Sequence, residues 1–135
     1  MRHVLTTSVL CPRCAEPASR SFVAESRRDR LRFSYSLRCG NCLLAEEGDG
    51  AELSDEARSA FISTEGRWEA RIRDLGSRRT DAFGVLRRML HVPPKELTEI
   101  ARASRPVCEG ALVEVERFVD ALREVGADVE LSRVE

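Results

Sequence analysis

The chain has 135 residues, 42% hydrophobic and 33% charged, with 22 basic against 23 acidic residues for a formal net charge of −1. That length accommodates one ordinary domain or two small ones, and the near-neutral balance leaves any recruitment of nucleic acid or anionic lipid to a local patch. No apolar stretch approaches the roughly 20 residues that span a membrane, and Met1-Arg2-His3-Val4-Leu5-Thr6-Thr7-Ser8 lacks the apolar core of a secretory signal, so the expected address is cytoplasmic with no membrane partner.

Cys11-Pro12-Arg13-Cys14 and Cys39-Gly40-Asn41-Cys42 form two Cys-x-x-Cys pairs with 24 residues between them. This is close to the spacing of four-cysteine zinc sites, in which two tight turns aim four thiolates at one tetrahedral ion. Gly40 is expected to supply the unusual backbone angles of the second turn. Two disulfides, a redox pair and an iron–sulfur centre are the competing readings, and one structural Zn2+ held by Cys11, Cys14, Cys39 and Cys42 is preferred.

Between the pairs, Leu31, Phe33, Tyr35 and Leu37 alternate with Arg32, Ser34, Ser36 and Arg38, the period of a half-buried strand. A preceding strand carries Phe22 and Ala24 on one face, and Ser26-Arg27-Arg28-Asp29-Arg30 suits the connecting turn. Leu43 to Glu46 allows a third short strand. Knuckle, hairpin, knuckle and short strand together resemble a zinc ribbon over residues 1–46. Eight Arg against Glu16, Glu25 and Asp29 make residues 1–45 basic by five charges. Arg27, Arg28, Arg30, Arg32 and Arg38 are therefore candidate nucleic-acid contacts, whereas Phe33 and Tyr35 lie on the apolar face and read as core.

Residues 47–66 read as an acidic linker with a break at Gly48-Asp49-Gly50. They include a short helix that opens at Ser54, uses Ala57, Ala60 and Phe61 as candidate buried positions and ends at Gly66. From residue 67 the pattern changes. Trp68, Ala70 and Ile72 alternate as a strand, and Thr80 is the expected cap of a helix with Phe83, Leu86, Met89 and Leu90 on one face. His91-Val92-Pro93-Pro94 stops that helix. Pro94 can start a second with Leu97, Ile100 and Ala101 at core spacing, and Pro106 ends it. Val107 to Glu109 gives a short strand, Val115, Phe118, Leu122 and Val125 stripe a third helix closed by Gly126, and Val129 with Leu131 form a last strand. If the first and last of these strands pair, Arg71 and Arg73 face Asp128 and Glu130.

Residues 67–135 resemble the carboxy-terminal domain of the bacterial ribosomal stalk protein, most clearly in Val85-Leu86-Arg87, Lys95-Glu96 and Ala121-Leu122-Arg123-Glu124-Val125-Gly126-Ala127-Asp128-Val129-Glu130-Leu131. The same fold is similar to that of the ClpS adaptors, whose acidic pocket loop has no counterpart in Leu75 to Arg79. The residue pattern gives an α+β chain in which a small β zinc ribbon precedes a β-α-α-β-α-β unit, and the resemblance implies that its three helices lie on one face of a small antiparallel sheet. It also implies recognition of a protein partner through the first two helices, with Arg87, Arg88 and Lys95 as the nearest equivalents of the contact residues.

His3 and His91 are the only histidines, and neither belongs to a Ser-His-Asp, Cys-His or His-Glu-x-x-His arrangement. His91 suits a helix end, and Cys108, between Val107 and Glu109, suits a small buried residue. The expected function is a non-enzymatic, zinc-binding adaptor or regulatory protein. The alternative is a nucleic-acid- or ribosome-associated protein that uses the basic ribbon.

Overall fold

The computed structural model describes residues 1–91, 93, 95, 96, 98, 99 and 105–134. Its first 50 residues form a four-stranded antiparallel sheet, β1 (Arg2–Leu10), β2 (Pro17–Arg27), β3 (Arg30–Arg38) and β4 (Ala45–Gly50), with neighbours in sequence order. Such a meander needs only short connections. The β2–β3 link is a two-residue turn closed by the Arg27–Arg30 pair, and Arg28 takes a left-handed φ of 58° there. The strand β1 has no counterpart among the sequence expectations. Its alternation of His3, Leu5, Thr7 and Val9 against Val4, Thr6, Ser8 and Leu10 is diluted by hydroxyl residues. Gly48-Asp49-Gly50, expected as a break, instead continue β4 alongside Phe33, Ser34 and Tyr35.

Helix α1 (Asp55–Glu65) follows, capped by the Ser54 hydroxyl, which accepts from the Ala57 N–H at 3.1 Å. The carboxylates of Asp55 and Glu56 sit in the first turn, where they favour the helix dipole. Gly66 ends the helix at φ 90°, and an added Cβ there would lie 2.3 Å from the Arg133 guanidinium. Despite its acidic composition the segment packs on the first sheet. Leu53, Ala57 and Phe61 are buried in one apolar cluster with Phe22, Ala24, Leu31 and Phe33 of β2 and β3. Ala111 and Val113 from the far end of the chain complete that cluster.

The second sheet has the order β6-β5-β7, all antiparallel, from β5 (Arg67–Asp74), β6 (Pro106–Ala111) and β7 (Asp128–Val134). Helices α2 (Arg79–Leu90) and α3 (Leu112–Glu124) pack against it. Ala70 and Ile72 of β5, Ala82, Val85 and Leu86 of α2, Val115, Phe118, Val119 and Leu122 of α3 and Val129 of β7 share this core. Helix α2 starts one residue before the expected Thr80, and Arg78 holds Asp81 at 2.7 Å where a side-chain cap was expected. His91 closes it in a left-handed conformation. Lys95, Glu96, Thr98 and Glu99 are helical, while Leu97, Ile100 and Ala101 of the expected second helix lie outside the described residues. As expected from pairing of the first and last strands, Arg71 lies opposite Glu130 in register. Arg73 makes the cross-strand ion pair with Glu130 at 2.8 Å, and Arg71 turns to Glu69. The whole is a small α+β protein with antiparallel sheets and a cysteine cluster consistent with a zinc ribbon.

Candidate metal centre

The two Cys-x-x-Cys turns are the β1–β2 and β3–β4 connections, so the meander brings both to one end of the first sheet. They are built alike. The Cys11 N–H donates to the Glu16 carbonyl at 2.8 Å, and the Cys39 N–H donates to the Leu44 carbonyl at 2.9 Å. Four residues after the first cysteine of each turn the chain takes a left-handed step, at Ala15 (φ 62°) and Leu43 (φ 64°). Gly40 was expected to take that role and does not. Its φ is not positive, and a Cβ there meets open space, so the strained position falls on Leu43.

All four sulfurs lie within 4.8 Å of one another, with Cys11 to Cys42 and Cys14 to Cys39 both at 3.6 Å. A disulfide requires about 2.05 Å. Tetrahedral thiolates around an ion with bonds of about 2.3 Å stand about 3.8 Å apart, close to the observed separations. Cys11 and Cys39 are buried among Ala18 and Leu37, and Cys14 and Cys42 form the more open side. The protein also supplies hydrogen bonds to sulfur, from the Arg13 N–H to Cys11 Sγ and from Asn41 Nδ2 to Cys14 Sγ, each at 3.4 Å. Chiefly through the Asn41 amide, the Cys14 thiol is drawn down to about 6. Cys42 is pushed up to about 11: its backbone hydrogen bond at Leu44 works against this, but burial and the neighbouring sulfurs outweigh it. A quartet of soft sulfur donors with one readily ionised member could hold a metal ion.

The fifth cysteine differs. Cys108 packs beside the second core, and burial raises its thiol to about 11, an inert environment for sulfur.

Of the five arginines expected to cluster on the ribbon, Arg27, Arg28, Arg30 and Arg32 surround the β2–β3 turn, at the end of the sheet opposite the cysteines. Arg38 is not with them. It lies beside the second knuckle and pairs with Glu47. Arg87 is exposed on α2, its neighbour Arg88 reaches Asp29 of the β2–β3 turn at 3.0 Å, and Lys95 is exposed. Phe33 is buried, and the half-buried ring of Tyr35 packs 5.8 Å from that of Phe22.

Two groups escaped the sequence reading. The buried His3 ring places Nδ1 2.6 Å from Glu65 and Nε2 3.0 Å from Glu116, so β1 is tied to α1 and α3 at once. Burial pulls the imidazole pKa down, and hydrogen bonds with Glu116 and Glu65, aided by their charges, more than reverse this and leave it raised. The second is Arg117 of α3, which lines one groove with the four ribbon arginines. The signal for both was Glu116-Arg117 set between Val115 and Phe118, charges embedded in an apolar helical stripe.

Comparison with family models, with curated proteins and with solved structures returns no match for this chain.

Proposed function

We propose that the chain is a non-enzymatic adaptor, stabilised by one structural Zn2+ on Cys11, Cys14, Cys39 and Cys42, that recognises a protein partner through its stalk-like second half. Four sulfurs within 4.8 Å of one another, two pairs of them at 3.6 Å, support the ion. Zinc accepts that geometry without redox chemistry, and a closed four-thiolate shell leaves no coordination position for substrate. The observation that carries the adaptor reading is the outer side of α2. Arg87 is exposed there and in no ion pair among the described residues, beside the half-buried Met89 and Leu90. Arg is favoured at such surfaces because its planar fork engages carboxylates and carbonyls at fixed geometry. Arg88 also serves the fold through Asp29, so Arg87 and Lys95 are the informative positions to change.

The test has two parts. Elemental analysis of freshly purified protein should return one zinc per chain. Affinity capture from native lysate should recover a protein that is lost when Arg87→Glu and Lys95→Glu are combined at unchanged melting temperature. Capture that is indifferent to these reversals would remove the α2 surface from the proposal.

A further inference from the structure

The end of the first sheet opposite the cysteines carries a groove that the adaptor reading does not use. Strand β4 stops at Gly50, opposite Phe33, so residues 30–32 of β3 have no β4 neighbour. The chain leaves through Ala51 toward α1. This opens a groove of about 1030 Å³ between the β2–β3 turn, Ala51 and α3, lined by Arg27, Arg28, Arg30, Arg32 and Arg117. Its one carboxylate, Asp29, is already held by Arg88 at 3.0 Å. None of the five lining arginines has an ion-pair partner among the described residues, whereas Arg20, Arg38, Arg58, Arg67 and Arg73 each face a carboxylate.

Five arginines without an ion pair among the described residues line this one groove, and like charges so placed repel each other unless an anion joins them. Arg117 adds an independent indication. Its Nε is buried with no hydrogen-bond partner, an unsatisfied donor of the kind native proteins rarely leave without a bound group. Arginine forks match phosphate oxygens in pairs, and an array spread along a groove fits a chain of phosphates better than a single ion. The groove offers no aromatic lining residue, and Phe33 and Tyr35 are engaged with Phe22, so stacking on unpaired bases has no platform. We infer that this groove binds the phosphate backbone of duplex nucleic acid, independently of base sequence.

The test is fluorescence anisotropy of the full-length protein with a labelled duplex of about 20 base pairs, as RNA and as DNA, across a salt series beginning near 50 mM. Binding to either duplex is expected, with log K falling against log salt at a slope of about −3 to −5, as about four released counterions require. Arg117→Gln should weaken binding about tenfold, the effect of losing one charge-assisted contact, with melting temperature and zinc content unchanged. Combining Arg30→Glu with Arg32→Glu should abolish binding, and Arg73→Gln, on the second sheet, should leave it as it was. Absence of binding at the lowest salt would overturn the inference, as would wild-type affinity in the Arg117→Gln and Arg30→Glu/Arg32→Glu proteins. Tighter binding to the separated single strands, or binding only to vesicles containing phosphatidylserine, would overturn it equally.

Discussion

His3 and Glu116 stand 113 positions apart along the chain and 3.0 Å apart in space. With Glu65 on the other ring nitrogen at 2.6 Å, the imidazole is a bridge that needs both its protons to serve both carboxylates. It belongs to a set of charged ties that join the helices to one another and to the first sheet. Arg58 of α1 holds Glu114 of α3 at 2.8 Å, and Arg88 of α2 holds Asp29 of the β2–β3 turn.

The raised pKa of His3 fixes the direction of a pH effect. The bridge contributes fully below the unfolded histidine value of about 6.5 and is lost as pH rises through the higher folded value. Wild-type stability should therefore decline with rising pH across that window, relative to His3→Gln, when followed by urea denaturation at a series of pH values. At pH 5.5 the substitution should cost about 3 kcal/mol, because it strands the buried Glu116 carboxylate. Parallel pH profiles for the two proteins would show that the bridge does not titrate.

Metal removal gives a second expectation. Structural zinc in small domains supplies about 10–16 kcal/mol of apparent folding free energy. Prolonged chelation, or Cys39→Ser at the buried side of the quartet, should therefore abolish zinc retention and unfold the first sheet, read as lost far-ultraviolet strand signal. Restoring zinc should reverse the chelated sample and leave the variant unfolded.

Phe61 is buried where α1 meets Phe22 and Val113, so it links the first sheet to α3. Phe61→Ala should cost about 3–5 kcal/mol through the cavity it leaves. Because the clusters are joined, circular dichroism and the fluorescence of the single tryptophan, Trp68 on β5, should trace one denaturation curve. Two separated transitions would mean that the halves unfold independently.

The knuckle geometry makes a stabilising variant available. Leu43 holds a left-handed φ of 64° with its side chain 80% exposed, so it bears the backbone cost without compensating burial. Leu43→Gly should gain about 1 kcal/mol, measured by denaturant titration with zinc saturating. No gain would place the cost of that turn elsewhere.

How much of this was legible depended on range along the chain. The Cys-x-x-Cys pairs, the β2–β3 alternation, the Ser54 cap and the α3 stripe are local patterns, and they lie where the sequence puts them. Strand β1 was obscured by Thr6, Thr7 and Ser8, which satisfy neither side of an apolar–polar alternation. Helix α1 and its buried Ala57 and Phe61 were legible, but what they pack against was not, because seven acids in residues 46–66 give the segment the composition of a linker. For the contact of His3 with Glu116, and for the groove that Arg117 shares with the ribbon arginines, the local signal is only that Glu116-Arg117 interrupts an apolar stripe; the partners lie too far along the chain to be named from it. The misassigned turn glycine is a smaller case: Gly40 looked permissive, but the repeat of Ala15 at Leu43 shows that the knuckle fold imposes its angle on whatever residue falls there.

Ala111 and Val113 complete the cluster around Phe22 and Phe33, and this bears on how the protein is made. During synthesis the first sheet leaves the ribosome long before the residues that cover its aromatic side, and an uncovered sheet invites aggregation. Early capture of the ion by the knuckles would hold that sheet in register through the interval, and α3 would dock as the closing event. If the quartet takes up a metal ion, the yield of soluble chain should rise with metal supply during translation.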